Sequence, residues 1–337
     1  MATFGSVPLS VLDLAPVVQG SAPARALSQT LDLARHVDAL GYRRYWVAEH
    51  HSMPGIASSA PAVLIGAVAA ATSGMRVGSG GVMLPNHVPL VVAEQFGTLE
   101  ALHPGRIDLG IGRAPGTDSV TARALRRSAE GLSAEEFPQQ LAELRAFFSG
   151  VWPDGHPYGR ITATPGAGLA PPIWLLGSSG YSAQAAAALG LPFSFAHHFS
   201  SANTEPAVQL YRSSFQPSET LEKPYAMVAV SVVLADDDEH AAWLAKPGQL
   251  SMLRVRSGSP GPLPTPEQAA AYEFSDADLA AMEPFLGGQV VGGPDTVRRE
   301  LSSLLDRTGA DELMVVTTVS PHADRVRSYE KLAVLAP

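Results

Sequence analysis

Five short stretches of this chain bring together residue types that could do chemistry. The first is Ala48-Glu49-His50-His51. An imidazole titrates near neutral pH, so one histidine held at a reaction centre suits general base catalysis. Neighbours on an extended segment point to opposite sides, so only one of His50 and His51 enters a given site. Adjacent histidines also lack the alternating spacing of a metal pair, and no metal is expected. The second stretch is Gly78-Ser79-Gly80-Gly81. Paired glycines permit close approach of a flat ligand to the backbone, or mark an ordinary bulge. The third, Gly110-Ile111-Gly112-Arg113-Ala114-Pro115-Gly116, offers Arg113 to a phosphate or anionic ring, or to a surface ion pair. The fourth is Gly177-Ser178-Ser179-Gly180-Tyr181-Ser182. A helix start needs one capping residue. Several small and hydroxyl residues together favour an anion site built from free amides and hydroxyls. The fifth, His197-His198, has the sequence position of a rim and no assigned role.

Each stretch follows a short apolar run, and the runs alternate with helical patterns. The strands read as Val7 to Leu14, Tyr45 to Ala48, Arg76 to Met83 and Ile107 to Ile111, then Ile173 to Leu176, Phe193 to Ala196, Met227 to Leu234 and Glu312 to Thr317. Helical spacing covers Ala24 to Leu40, Ala60 to Thr72, Leu90 to Leu102, Ala134 to Phe148, Ser182 to Leu189 and Glu205 to Phe215. Eight strands separated by helices predict an α/β fold, a closed (β/α)8 TIM barrel whose catalytic groups follow the strands. An open doubly wound sheet would carry a glycine fingerprint after its first strand, where this chain has Leu14-Ala15-Pro16. The least regular segment, Pro247 to Gly288, falls after strand seven and reads as a lid or a plain insertion in one domain spanning residues 1–337.

Composition narrows the function. With 46% hydrophobic residues a large core is available, and no cysteine is present. Disulfides, thiolate zinc sites, cysteine-bound clusters and a cysteine nucleophile are thereby excluded, and a cytoplasmic setting fits. The net charge is −9, no long basic run exists, and the short Arg126-Arg127 pair is not a patch, so nucleic acid is not an expected partner. Met1 to Pro16 lacks the order of a signal peptide. The longest apolar run, Ala60 to Ala71, is shorter than the ~18 residues of a membrane span.

Read together, Val47-Ala48-Glu49-His50-His51, Leu84-Pro85, Glu94-Gln95 and Pro104-Gly105-Arg106-Ile107-Asp108-Leu109-Gly110-Ile111-Gly112-Arg113 resemble bacterial luciferase-like monooxygenases. The likeness continues through Gly177-Ser178-Ser179-Gly180, Gly190-Leu191-Pro192 and Val291-Gly292-Gly293-Pro294 to Ala310-Asp311-Glu312-Leu313. It implies a (β/α)8 barrel using reduced FMN (FMNH2) and O2 through a flavin C4a-hydroperoxide, with a separate NAD(P)H-dependent flavin reductase as partner. It implies His50 as catalytic base and a non-proline cis peptide at Gly80 and Gly81, beneath the flavin. Arg113 and the segment Ser178, Ser179, Gly180, Tyr181, Ser182 become flavin contacts. Arg123, Arg126 or Arg127 would assist at the phosphate. Gly112 stands where luciferase has a cysteine, which predicts a roomier site. The implied substrate is an uncharged organic molecule, hydroxylated or epoxidised, as in the antibiotic-tailoring members of the family. A homodimer through the helices at Ala60 to Thr72 and Leu90 to Leu102 is expected. The alternatives are an F420-dependent hydride-transfer enzyme and a non-catalytic flavin-binding protein. A metal-dependent barrel hydrolase is set aside, because Val11-Leu12-Asp13-Leu14 lacks alternating histidines.

Overall fold

The structure, a computed structural model, describes residues 4–114, 116–126, 136–169 and 171–336. Its first half runs β1 (Leu9–Asp13), α1 (Pro23–Ala39), β2 (Arg44–Val47), α2 (Pro61–Ala71), β3 (Arg76–Met83), α3 (Pro89–Leu102), β4 (Ile107–Gly112), α4 (Ser119–Arg126) and α5 (Phe137–Ser149). The second half continues with β5 (Ile173–Gly177), α6 (Gly180–Leu189), β6 (Phe193–Ala196), α7 (Thr204–Ser214), β7 (Ala226–Leu234), α8 (Asp238–Arg256), α9 (Pro266–Ala270) and α10 (Asp276–Leu286). It ends with β8 (Gln289–Gly292), α11 (Pro294–Thr308), β9 (Glu312–Val316) and α12 (His322–Leu335). Local chemistry marks many of these ends. Proline opens α1, α2, α3, α5 and α11, where a missing N–H costs nothing. Gly150, Gly190 and Gly309 close α5, α6 and α11 in the left-handed conformation that glycine adopts freely.

Every strand pairing is parallel, and β1 to β7 follow one another around a ring that β9 closes. Leu9, Ser10 and Val11 lie beside Leu313, Met314 and Val315, so the first predicted strand meets the last. Outward residues such as Val47, Val77, Leu109 and Val228 pack under Leu33, Ile65, Phe96, Leu144 and Val208 of the helices. Strands buried on both faces are what a parallel barrel requires.

The interior is layered. At the strand starts, Asp108 accepts from Arg44 Nη1 (2.7 Å), Arg76 Nε (2.8 Å) and Trp46 Nε1 (3.1 Å). Glu312 accepts from Arg44 Nε (2.9 Å), Tyr225 OH (2.8 Å) and Ser10. This ionic plug closes the floor of the barrel. Above it Leu12, Trp46, Ala48, Trp174, Met227, Ala229, Met314 and Val316 form an apolar layer, which leaves the chemistry to the strand ends.

Two expectations need correction. A ninth strand exists: β8, four residues long, pairs with Ser231 to Leu234, the upper end of β7, outside the ring. Its brevity hid it. The segment from Pro247 to Gly288 is also mostly helical, not irregular. Pro247 sits inside α8, and α9 and α10 follow with Thr265 and Ser275 as side-chain caps. The longest non-helical stretch runs from Ser257 to Thr265, and its start, Ser257 to Pro262, has the glycine, serine and proline content that forbids a helix.

Candidate active site at the barrel mouth

The two-residue alternation of β2 separates the histidines. Arg44, Trp46 and Ala48 face the interior, and His50 continues that side. Glu49 and His51 share the other side and bond to each other, His51 Nε2 to Glu49 Oε1 at 2.8 Å. Buried Glu49 also accepts from His87 Nε2 (2.9 Å), the Met83 amide (3.0 Å) and Asn86 Nδ2 (3.3 Å). Burial alone would raise the Glu49 carboxyl; the hydrogen bond and charge of His87, with His51 and Met83, outweigh it and hold the group below its usual range. Glu49, His51 and His87 therefore tie the ends of β2 and β3 together. His50 stands apart. Its Nδ1 is buried without a hydrogen-bond partner, and burial lowers the ring below the ordinary imidazole range, against the pull of Glu49 and with the push of His51.

Phe193 and Phe195 of β6 face the helices, so Ser194 and Ala196 face inward and His198 continues their side. In a ring of eight, β6 lies opposite β2. Buried His198 bonds through Nδ1 to the Ala229 carbonyl at 3.0 Å, and its backbone N–H donates to the same oxygen at 3.1 Å. Desolvation lowers its pKa to about 4, Ala229 opposes the shift, and the nearby His50 adds to it. His197 turns away to Thr204 Oγ1 (2.7 Å) and is likewise lowered to about 4 by burial, with His198 and Arg307 adding to the shift.

The Gly80–Gly81 peptide is cis, as expected, at a register shift between Gly80 and Val82. A Cβ on Gly80 would lie 2.7 Å from Leu12 Cδ1, and one on Gly81 2.7 Å from the Gly110 carbonyl oxygen. The barrel wall itself demands glycine here. Gly112 does not enlarge the site: a Cβ there would meet Met83 Sδ at 2.7 Å, so the methionine side chain takes the space.

Across β4 and β5, the Arg113 guanidinium lies 4.2 Å from the centre of the Tyr181 ring. Among the described residues no carboxylate is within ion-pair distance of it, so the surface ion-pair alternative is not what the structure shows. Helix α6 begins at Gly180 after an extended Ser179, with no side chain capping its amides. Ser178, Ser179 and Tyr181 are exposed, whereas Ser182 is buried against Gly177. An open helix start beside an unneutralised guanidinium fits a phosphate ester. Of the three further arginines, Arg123 bonds to Ser119 O of its own helix at 3.3 Å, while the Arg126 side chain and Arg127 lie outside what the structure describes.

The segment after β7 spans this mouth. Leu263 exchanges backbone hydrogen bonds of 2.8 Å with Val17 and Gln19 after β1, and the Gly261 carbonyl presses on Gly55 after β2. At its other end Gly288 packs on the backbone of His197 and His198. Sequence reading passed over Glu49, Met83 and the role separation of His197 and His198. Alternation along β2 and β6 carried the signal for both histidine pairs; nothing local announced Met83. Among the described residues no helix is long and apolar enough to cross a membrane, and no cluster of three His, Asp or Glu could hold a metal ion.

Comparison with known proteins identifies the family. The family model described as luciferase-like monooxygenase matches residues 7–334. An uncharacterised Bacillus subtilis (strain 168) protein, YvbT, is 52% identical over 325 residues, covering 96% of this chain and 95% of its own. A luciferase-like monooxygenase of Escherichia coli K12 is 48% identical over 328 residues, covering 97% and 96%. The crystal structure of apo-MsnO8 matches with a TM-score of 0.89 at 42% identity, over 98% of each chain.

Proposed function

The chain belongs to the luciferase-like monooxygenase family, and on that premise we propose that it is a reduced-FMN- and O2-dependent monooxygenase acting on an uncharged organic substrate. The observation that carries the reading is the unneutralised Arg113 guanidinium beside the uncapped start of α6, on the same mouth that His50 enters. Arg113 with Ser178, Ser179, Gly180 and Tyr181 would hold the FMN phosphate, and Gly80 and Gly81 would form the wall under the ring. When bound, reduced flavin with O2 supplies the two-electron oxidant that places one oxygen atom on the substrate and releases the other as water.

The protein's own work is position, dryness and proton control. His50, neutral at physiological pH because burial disfavours its cation, accepts a proton at the mouth. The segment from Pro247 to Gly288 acts as a lid, keeping water from the reacting groups. A separate NAD(P)H-dependent reductase would deliver the flavin, as the family resemblance implies.

The test is a titration with reduced FMN under nitrogen beside reduced F420, followed by an O2 pulse. The expected result is tighter binding of reduced FMN, then a transient absorbance that outlives the reoxidation of free flavin. Preference for F420 with no response to O2 would replace this reading with hydride transfer.

A further inference from the structure

The mouth holds a second imidazole that the proposed proton transfer does not use. His198 faces His50 from the opposite wall, and no hydrogen bond joins the two rings. Its Nδ1 and its backbone N–H both point to one acceptor, the Ala229 carbonyl, at 3.0 and 3.1 Å. A carbonyl only accepts, so Nδ1 carries the ring proton and Nε2, on the far side of the ring, carries a lone pair. Nε2 has no hydrogen-bond partner among the described residues. The Nδ1 bond orients the ring, which is buried, has its centre 4.4 Å from that of the Phe199 ring, and lies on a backbone where Gly288 leaves no room for a side chain. The layer below is largely apolar, built from Trp46, Trp174, Met227 and Met314, with the buried Trp174 Nε1 unpartnered within it. A lone pair above a largely apolar layer discriminates between ligands by whether they bring a donor.

We propose that His198 is a specificity-determining residue whose Nε2 accepts a hydrogen bond from a hydroxyl or N–H group of the substrate, selecting neutral, largely apolar molecules that carry such a donor. The inference rests on the oxygenase reading for the location of the substrate. Because the ring resists protonation, it stays an acceptor through the physiological range and does not serve as the acid.

The test uses matched probes, 4-methylphenol and its methyl ether, 4-methylanisole, which differ in the donor alone. Histidine-15N-labelled protein is titrated with each, and His198 is assigned by the signal lost in His198→Phe. Expected are a δ-protonated ring, a shift of Nε2 with the phenol only, and roughly tenfold tighter binding of the phenol, a preference lost in the variant. An ε-protonated ring, equal or absent response to the two probes, or a preference that survives His198→Phe would each overturn the proposal. If that variant does not fold, His198→Asn provides the assignment, and the parent titration decides alone. Binding of reduced FMN by the parent under nitrogen is measured in parallel, so failure of the flavin reading is seen separately from failure at His198.

Discussion

His50 and His51 are chemically identical neighbours with different surroundings, and the difference is the alternation of one strand. His51 is held by the buried Glu49 carboxylate, whereas His50 has an unpartnered Nδ1 and a lowered pKa. Replacing His50 by Ala should therefore reduce turnover by about 10²–10⁴-fold, the usual worth of a positioned acid–base group. Replacing His51 should act mainly on stability, through Glu49. Steady-state rates, together with reduced FMN affinity in both variants, check this; wild-type turnover in His50→Ala would demote it to a rim residue. His197 and His198 give a second residue-scale prediction. Both are buried with pKa values of about 4, below the unfolded value near 6.5. Between those values the unfolded chain binds more protons than the folded one, so stability is full above pH 6.5 and declines as pH falls toward 4. Linkage gives a loss of roughly 2 kcal/mol per ring between pH 7 and 5. Urea unfolding at the two pH values measures it, and the loss should shrink in His198→Phe. A flat profile would contradict the burial of these rings.

At the scale of the element, a single run shows what local sequence conceals. In Arg106-Ile107-Asp108-Leu109-Gly110-Ile111-Gly112-Arg113, most of the distinctive residues build the barrel. Arg106 donates to the Ala69, Thr72 and Met75 carbonyls at the end of α2, and Asp108 anchors the ionic plug. Gly110 has no room for a side chain, since a Cβ would lie 2.1 Å from the Ser79 carbonyl oxygen. Only Arg113 reaches the open rim. The α6 start shows the opposite case. Its serine and glycine content fits either an anion site or a simple serine cap, and the helix starts at Gly180 with no side-chain cap. Ser179→Asp should place a like charge where the phosphate is proposed to bind and weaken reduced FMN binding by roughly tenfold or more. Titration under nitrogen checks it, and an unchanged affinity would move the phosphate elsewhere. Ser182→Ala should have the smaller effect, because that side chain is buried against Gly177.

For the whole molecule, α2 and α3 carry an apolar excess that packing on the barrel does not consume. Val63 of α2 is 77% exposed, Leu102 of α3 is 68% exposed, and Val88 and Val91 are exposed between them. Such a face calls for a partner. A homodimer through α2 and α3 is expected, with Val63→Glu shifting the protein to monomer in light scattering at micromolar concentration while leaving its fold intact. A parent protein that is already monomeric would refute the arrangement. The sequence by itself determined the alternation of strands and helices, their glycine and proline boundaries, the absence of cysteine chemistry and the pool of rim residues, because these depend on periodicity and local conformational preference. Only the tertiary structure decided which of those residues meet. Closing eight strands into a ring sets β6 opposite β2, so His198 faces His50 across nearly 150 positions of chain. The same closure puts Met83 into the space beside Gly112 and lays the segment after β7 over the loops after β1, β2 and β6. Contacts between residues so far apart in the chain leave no periodic trace in it; they exist because strand register and ring closure fix distances that no local pattern encodes.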